Sequence, residues 1–483
     1  MFGKIVFDMS AINLLSIAPM ALLVCFALFI LCIGMIKNEL SSKFYITLSS
    51  LALVLNLALV VGYNGSLRGF FNLVLMDGVG VLGMIVIALV SLVFILFGLG
   101  DKKDEQYEYY TLFLFMVAGY QFMVTSDNLI LIIVALELSS LILYTLIAMR
   151  NTKFALEAAI KYFVMGALAT GFLVFGVGLL YLTSGSVEIH RIAHTLKEIS
   201  DSSILHIACV FLVVAFGFKV SAVPFHTWLA DVYEGSSAPL AGFISIVPKL
   251  ALFVAMLRLF SLLLGGGEQF LEIALYALVV ITITVANVAA LIQKDVKRML
   301  AFSSISHSGF ILATILIDTT SSSVSIFVYW IMFAFANLGA FGMLWAMGSS
   351  DEDKRYEYGF ERFKGLGKSN LPLALMMGLF MFSLAGVPPF SVFWGKLFIL
   401  ASAVSGGHIV LAIVMAVNSA IAIYYYLKVV VYMFLYEGKD EANSVDPSLK
   451  WILGVCSLLC ILAPFVLKFV YSRVYDMVIF SGF

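Results

Sequence analysis

The chain is written as long apolar runs separated by short polar intervals, and few of the runs are interrupted by charge. Taking about 20 apolar residues as the length that crosses a hydrocarbon core, the pattern predicts about fourteen membrane-spanning helices. They lie near residues 10–36, 44–63, 78–99, 110–126, 128–149, 156–183, 204–228, 238–264, 270–292, 299–317, 323–347, 371–400, 408–436 and 450–472. The fold class expected is therefore an all-α polytopic membrane protein. The first run is too long for the core of a cleaved signal peptide and is expected to stay as the first helix. Between spans 6 and 7, Ile189, Ile192, Leu196 and Ile199 fall on one helical face, which predicts a short helix lying flat on the outer membrane surface. The interval 348–370 is charged, and it is expected to be solvated and without chemistry.

Composition agrees: 63% of residues are hydrophobic, 12% are charged and the mean hydropathy is +1.08, which excludes a soluble domain. A net charge of -1 with no basic stripe gives no reason to expect a nucleic-acid partner; lipid and other membrane subunits are the partners expected. Cys25, Cys32, Cys209, Cys456 and Cys460 all fall in apolar segments without C-x-x-C spacing or a histidine cluster, so no disulfide, haem, iron–sulfur cluster or metal site is expected. Sixteen of the 28 lysines and arginines follow odd-numbered spans and seven lie towards the opposite face, Arg258 among them. The positive-inside rule then puts both termini outside. The remaining five, Lys161, Lys219, Lys249, Lys396 and Lys428, lie within spans.

Those interior charges change the picture. A lysine at the centre of a membrane helix costs roughly 2.5–3.5 kcal/mol, so it is expected to face a protein interior or a wet cavity. Three of them stand near prolines: Lys219 before Pro224, Lys249 beside Pro248, and Lys396 after Pro388 and Pro389. A proline cannot donate to the carbonyl four residues back, so Pro224 is expected to free Val220 and Pro248 to free Ile244. Broken backbone at membrane depth is tolerated only when it is buried in protein or lines a cavity. The competing reading, snorkelling lysines and incidental prolines, leaves the threefold coincidence unexplained. Moreover, Ser221-Ala222-Val223-Pro224-Phe225 in span 7 is echoed five spans later by Ala385-Gly386-Val387-Pro388-Pro389-Phe390 in span 12. Five is odd, so the second unit would be inverted, a pattern associated with transporters.

Other polar residues inside spans extend the set. Glu137 lies near the middle of span 5, where a carboxylate needs a cation or a proton. Lys219 is its natural partner and Lys161 the alternative; a protonated glutamate bonded to a neighbouring helix is the competing reading. Lys161 and Lys428 lie within about 9 and 12 Å of a span end, so snorkelling competes with function at Lys161 and is preferred at Lys428. His226, seven residues after Lys219, would continue a proton path by two helical turns or plug the kink. His307, among serines in span 10, would bridge the two halves or be a satisfied core histidine.

With these residues in hand, the chain resembles subunit N of the proton-pumping NADH:quinone oxidoreductases, respiratory complex I. The resemblance runs over essentially the whole length. It is strongest at E-A-A-I-K-Y-F-V-M-G-A-L-A-T-G-F, F-K-V-S-A-V-P-F-H-T-W-L-A-D-V-Y-E-G-S, K-D-V-K-R-M-L-A-F-S-S-I-S-H-S-G-F and G-V-P-P-F. It implies two inverted five-helix repeats, helices 4–8 and 9–13, with helices 7 and 12 broken. The chain would then divide into an N-terminal segment 1–109, a first repeat 110–264, a second repeat 265–436 and a final helix in 437–483. The same resemblance implies Glu137 as the carboxylate beside Lys219, Lys249 as central relay and Lys396 as terminal site. It further implies a bacterial inner-membrane location, subunits of the M and K types as neighbours, and no cofactor in this chain. Quinone and NADH, or another donor, would be used elsewhere in the complex. Subunit M has a glutamate where this chain has Lys396, and subunit L is longer. A subunit of a multi-subunit cation/proton antiporter, which shares this fold, and a scaffold that transports nothing are the other readings.

Overall fold

The computed structural model describes residues 12–37, 40–63, 65–100, 106–196, 203–266, 269–348, 357–438 and 445–483. The start of the first span at residues 10–11, Ile199, and the loop cations Lys4, Lys102, Lys103, Lys197, Lys354, Arg355 and Lys439 lie outside them.

A 3-10 turn over Leu14–Ile17 leads into α1 (Ala18–Ile36), followed by α2 (Ser42–Val61). A small antiparallel ribbon, β1 (Leu67–Gly69) with β2 (Val74–Met76), delivers the chain to α3 (Gly78–Leu96). Then come α4 (Tyr107–Val124), α5 (Leu129–Ala148), α6 (Lys153–Ser184) and the short α7 (Ile189–Leu196). The seventh span is in two pieces, α8 (Ser203–Lys219) and α9 (Thr227–Gly235), and so is the eighth, α10 (Ala238–Ile244) and α11 (Val247–Gly265). Next are α12 (Gln269–Leu291), α13 (Val296–Ile317) and α14 (Thr320–Ala346). After a 3-10 turn at Phe360–Phe363 and α15 (Leu366–Ser369), the twelfth span is split into α16 (Leu371–Ala385) and α17 (Ser391–Ser405), before α18 (Ile409–Leu435) and α19 (Pro447–Phe480).

Among the described residues, eleven spans are each long and apolar enough to cross a membrane. The two broken spans 7 and 12, and α4, account for the rest of the fourteen expected. Helix α4 is less apolar because it carries tyrosines and Gln121, whose amide exchanges two hydrogen bonds with Asn56 of α2, at 3.0 and 2.7 Å, deep in the protein. The most apolar windows of the α10–α11 span and of α13 are 94% buried and that of α14 89%, against 33% for α6 and α19. Spans 8, 10 and 11 are therefore the centre of the molecule, and α6 and α19 lie on its rim.

Helix starts follow side-chain capping. Asn128, Thr152, Asp295 and Thr319 each accept from a backbone N–H in the first turn, and Thr319 with Ser322 forms a reciprocal capping box. The breaks are set differently from expectation. Helix α8 stops because Ser221 adopts a left-handed conformation (φ 62) and the N–H of Ala222 donates to the Gly217 carbonyl at 2.7 Å. Helix α16 stops the same way at Gly386 (φ 81), with Val387 donating to Phe382 at 3.1 Å. Both are Schellman-type terminations, completed before the prolines. The carbonyl of Val220, expected to be the one freed by Pro224, thus already lies beyond the helix, and that of Phe218 is met by the indole of Trp228 at 3.2 Å. The structural echo pairs Ser221, cis-Pro224 and Phe225 with Gly386, cis-Pro389 and Phe390, one residue on from the alignment at Pro388. In span 8 the interruption falls at Ser245–Ile246; Pro248 occupies the first turn of α11, where no N–H is needed, so it starts a helix instead of breaking one.

Two further expectations are corrected. Ile189 and Ile192 of α7 are fully buried, and α7 packs on α6 and α11 instead of lying free on a lipid surface. The interval 348–370 is not simply solvated: Tyr358, Phe360, Phe363 and Leu366 are buried, and the N–H of Tyr358 donates to Asp295 at 2.8 Å, fastening the loop over the start of α13. Burial there raises the Asp295 carboxyl above its usual range, opposed by the N–H groups of Arg298 and Tyr358. Arg258, among the cations expected towards the outer face, is buried in an ion pair. Its guanidinium holds Asp77 at 2.6 and 2.8 Å with both side chains buried, tying α11 to the start of α3. Helix α19 ends on the same spot: a Cβ on Gly78 would stand 2.0 Å from the Met477 carbonyl oxygen, so only glycine admits this approach.

Candidate functional site: a buried polar axis

Lys219 is the last residue of α8, so its ammonium sits at the negative end of a half-helix, where a cation is favoured. It donates to Glu137 of α5 at 3.2 Å, and the Thr170 hydroxyl of α6 donates to the same Oε1. The side chain of Lys219 is 7% exposed and that of Glu137 28%. Of the two partners expected for Glu137, the structure brings Lys219 and not Lys161. The Phe218 carbonyl, beside Lys219, holds Trp228 across the break, which fixes α9 against the end of α8.

Lys249, in the first turn of α11 after the Ser245–Ile246 interruption, is buried. Its three N–H bonds go to α13: the Ser304 carbonyl at 3.1 Å, the Ser304 hydroxyl at 2.8 Å and the Ser308 hydroxyl at 2.9 Å. Ser304 also meets the Tyr233 hydroxyl of α9 at 3.3 Å. His307 lies between those two serines in the chain. Its Nδ1 pairs with the Tyr329 hydroxyl at 2.5 Å and its Nε2 with that of Tyr426 at 3.0 Å. Tyr426 also bonds Ser303, and beside it Tyr425 donates to Asn287 at 3.0 Å, which in turn donates to Asn418 at 3.2 Å.

Lys396, on α17, is buried and donates to the Ala385 carbonyl at 3.1 Å, the end of α16, with its ammonium 5.3 Å from the centre of the Phe310 ring. The second broken helix thus offers its negative end to a lysine as the first does, although the lysine comes from the other half-helix. Among the described residues neither Lys249 nor Lys396 has a carboxylate partner. An ammonium held by hydroxyls and carbonyls gains less than one facing a carboxylate, which is the condition for giving up its proton.

The remaining candidates fall elsewhere. Lys161 is 42% exposed and pairs with Glu157 at 2.7 Å and Asp231 at 2.9 Å; Asp231 also meets Arg298 at 3.2 Å, and Arg298 pairs with Glu234. It belongs to an ionic chain around α9, separate from the Glu137 pair. Lys428 reaches the Gln293 carbonyl at 3.5 Å, with its ammonium 4.1 Å from the centre of the Phe360 ring. His226 does not lie two turns along from Lys219, because the helix is broken between them. It stands at the start of α9, half-buried, with its ring 6.3 Å from that of Phe302. All five cysteines are free thiols.

The model of the NADH:quinone oxidoreductase/Mrp antiporter transmembrane family matches residues 126–422, which contain Glu137, Lys219, Lys249, His307 and Lys396. The NADH-quinone oxidoreductase subunit N of Campylobacter hominis is 49% identical over 477 residues, covering 96% of this chain and 98% of its own. The chain belongs to the NADH-quinone oxidoreductase subunit N family. A chain of respiratory complex I from Thermus thermophilus superposes with a TM-score of 0.81 at 29% identity, over 94% of this chain and 98% of its own. A chain of the Mrp complex from Dietzia sp. gives 0.84 at 20% identity over 97% of both, a likeness of fold.

In this subunit N family member, sequence reading had missed the uncharged half of the axis. Thr170, Tyr233, Ser304, Ser308, Tyr329, Tyr426 and Asn287 carry no charge to mark them, and hydroxyls and amides are ordinary in membrane helices. The one local signal was the run Ser303-Ser304-Ile305-Ser306-His307-Ser308, whose serines at 304 and 308 share a helical face one turn apart.

Proposed function

We propose that this chain moves protons across the bacterial inner membrane as a non-redox subunit of an NADH-quinone oxidoreductase, driven by quinone reduction elsewhere in that complex. The observation that carries the reading is the set of buried cations inside spans: Lys219 paired with Glu137 at one break, Lys249 on the serines of α13, the helix that also carries His307, and Lys396 at the other break. When Glu137 stands close, Lys219 holds its proton; when the pair separates, the desolvated lysine gives it up towards Lys249. From there it passes along Ser304, Ser308 and His307 to Lys396 and the outer side. Moving one charge against 100 mV requires about 2.3 kcal/mol, the equivalent of a pKa change of under two units, within reach of a buried ion pair.

The matching terminations at Ser221 and Gly386 support division into two inverted repeats, 110–264 and 265–436, flanked by 1–109 and 437–483, with both termini outside. The Glu137 side chain is 28% exposed near the middle of an apolar helix. A carboxylate is not left to lipid there, so a neighbouring subunit, of the K or M type, covers this flank. NADH, or another donor, and quinone are handled by other subunits.

The experiment is Lys396→Ala in the assembled complex, with NADH-driven acidification measured in inverted vesicles with and without sodium. The expected outcome is loss of both turnover and acidification, independent of sodium. Unchanged turnover and acidification in the variant would overturn the proposal, and flux that requires sodium but no quinone would replace it with cation/proton antiport.

A further inference from the structure

The proposed mechanism leaves a gap at its first step. Once Lys219 has passed its proton on, Glu137 is a carboxylate in a largely apolar place without its counter-charge. Such a group draws a proton to itself, and the nearest one is the proton just released. Left so, the pair would recapture what it sends forward.

The residue set against this is Thr170. It lies on α6, and its hydroxyl donates to Oε1 of Glu137, the oxygen that also accepts from Lys219. The same hydroxyl stands 3.1 Å from the Gly166 carbonyl one turn earlier, the usual resting acceptor for a threonine inside a helix. It has one hydrogen and two acceptors, and the charged one is the stronger. So short a side chain reaches Glu137 because α5 and α6 are close: a Cβ on Gly166 would be 2.2 Å from the Tyr144 hydroxyl of α5.

We propose that Thr170 is a positioning residue of the Glu137–Lys219 pair: its hydroxyl occupies Oε1 of the carboxylate and holds it in place while Lys219 exchanges its proton. The donation does not depend on the charge of Lys219, so it persists when the ion pair does not. It occupies a lone pair of Oε1 in the state where recapture threatens. Turning to Gly166 lets the hydroxyl release Glu137 without losing a partner. This inference rests on the proton-transfer reading given above.

The test uses Thr170→Val, which keeps the shape and removes the hydroxyl, Thr170→Ala as a second hydroxyl-free chain, and Thr170→Ser, which restores the donor. Each is placed in the full complex with and without Glu137→Gln, and turnover and proton uptake are normalised to assembled complex. We expect Val and Ala to lower both about tenfold, the scale of one hydrogen bond to a charged group, and Ser to stay within about twofold of the parent. In the Glu137→Gln background the loss of the hydroxyl should add nothing. Val and Ala at parental rates, Ser as impaired as Val, or an equal further loss in the Glu137→Gln background would each overturn the proposal, the last by marking a packing role. If Glu137→Gln is impaired while Val and Ala are not, only the role of Thr170 falls. Parental pumping in Glu137→Gln removes the underlying reading as well.

Discussion

Lys249→Met is expected to lower quinone-linked turnover and proton uptake of the assembled complex by about a hundredfold, the lower end of what a positioned proton-transfer group contributes. Methionine fills a similar length without polar atoms, so the packing of α11 on α13 is retained. What disappears is the donor that the Ser304 carbonyl and the Ser304 and Ser308 hydroxyls share. The centre of the axis then has no group able to bind and release a proton between the Lys219 end and His307. Turnover assays on purified complex, set beside the amount assembled, check this. A fall in assembly with normal activity per complex would assign Lys249 to the scaffold.

Arg258→Leu should act on the fold and not on the axis. It leaves the buried Asp77 carboxylate without the guanidinium that now holds both of its oxygens, and removes the bond to the Val124 carbonyl at 3.2 Å. Leaving one member of a buried ion pair unmatched destabilises by about 3–5 kcal/mol, expected here as a lower melting temperature of the complex and less of it assembled. Asp77 also caps α3, accepting from the Gly80 N–H at 2.8 Å. Asp77→Asn on top of Arg258→Leu should therefore recover much of the loss, since asparagine caps as well as aspartate and carries no charge. If the double replacement melts lower than the single one, the pair contributes by something other than charge matching.

The contrast between these two sites shows what was legible in the sequence. Lys219, Lys249 and Lys396 stand out because a charge inside an apolar run needs an explanation, and Glu137 with Lys219 could be matched on charge alone. Asp77 and Arg258 sit at span ends, where charges are ordinary, so nothing in one dimension marks them as a buried pair. The breaks were legible through their prolines, yet the residues that stop the helices are Ser221 and Gly386, which act by backbone conformation and a capping bond. Proline drew attention to the right place and the wrong atom. Likewise His226 was placed by counting along a helix that ends before reaching it. The tyrosine, serine and asparagine partners depend on which helices pack face to face, information that periodicity does not hold. Ser304 and Lys249, or Tyr426 and His307, meet only because spans 8, 10 and 13 converge.

The central claim is that protons cross the membrane interior along these cations, and the most direct measurement is the number of protons taken up per electron in sealed vesicles for Lys219→Ala and, separately, Glu137→Gln. The account predicts that uptake falls in both, with the Glu137 variant still assembled. Undiminished proton uptake per electron in both would contradict it, leaving a membrane fold whose buried lysines serve structure alone.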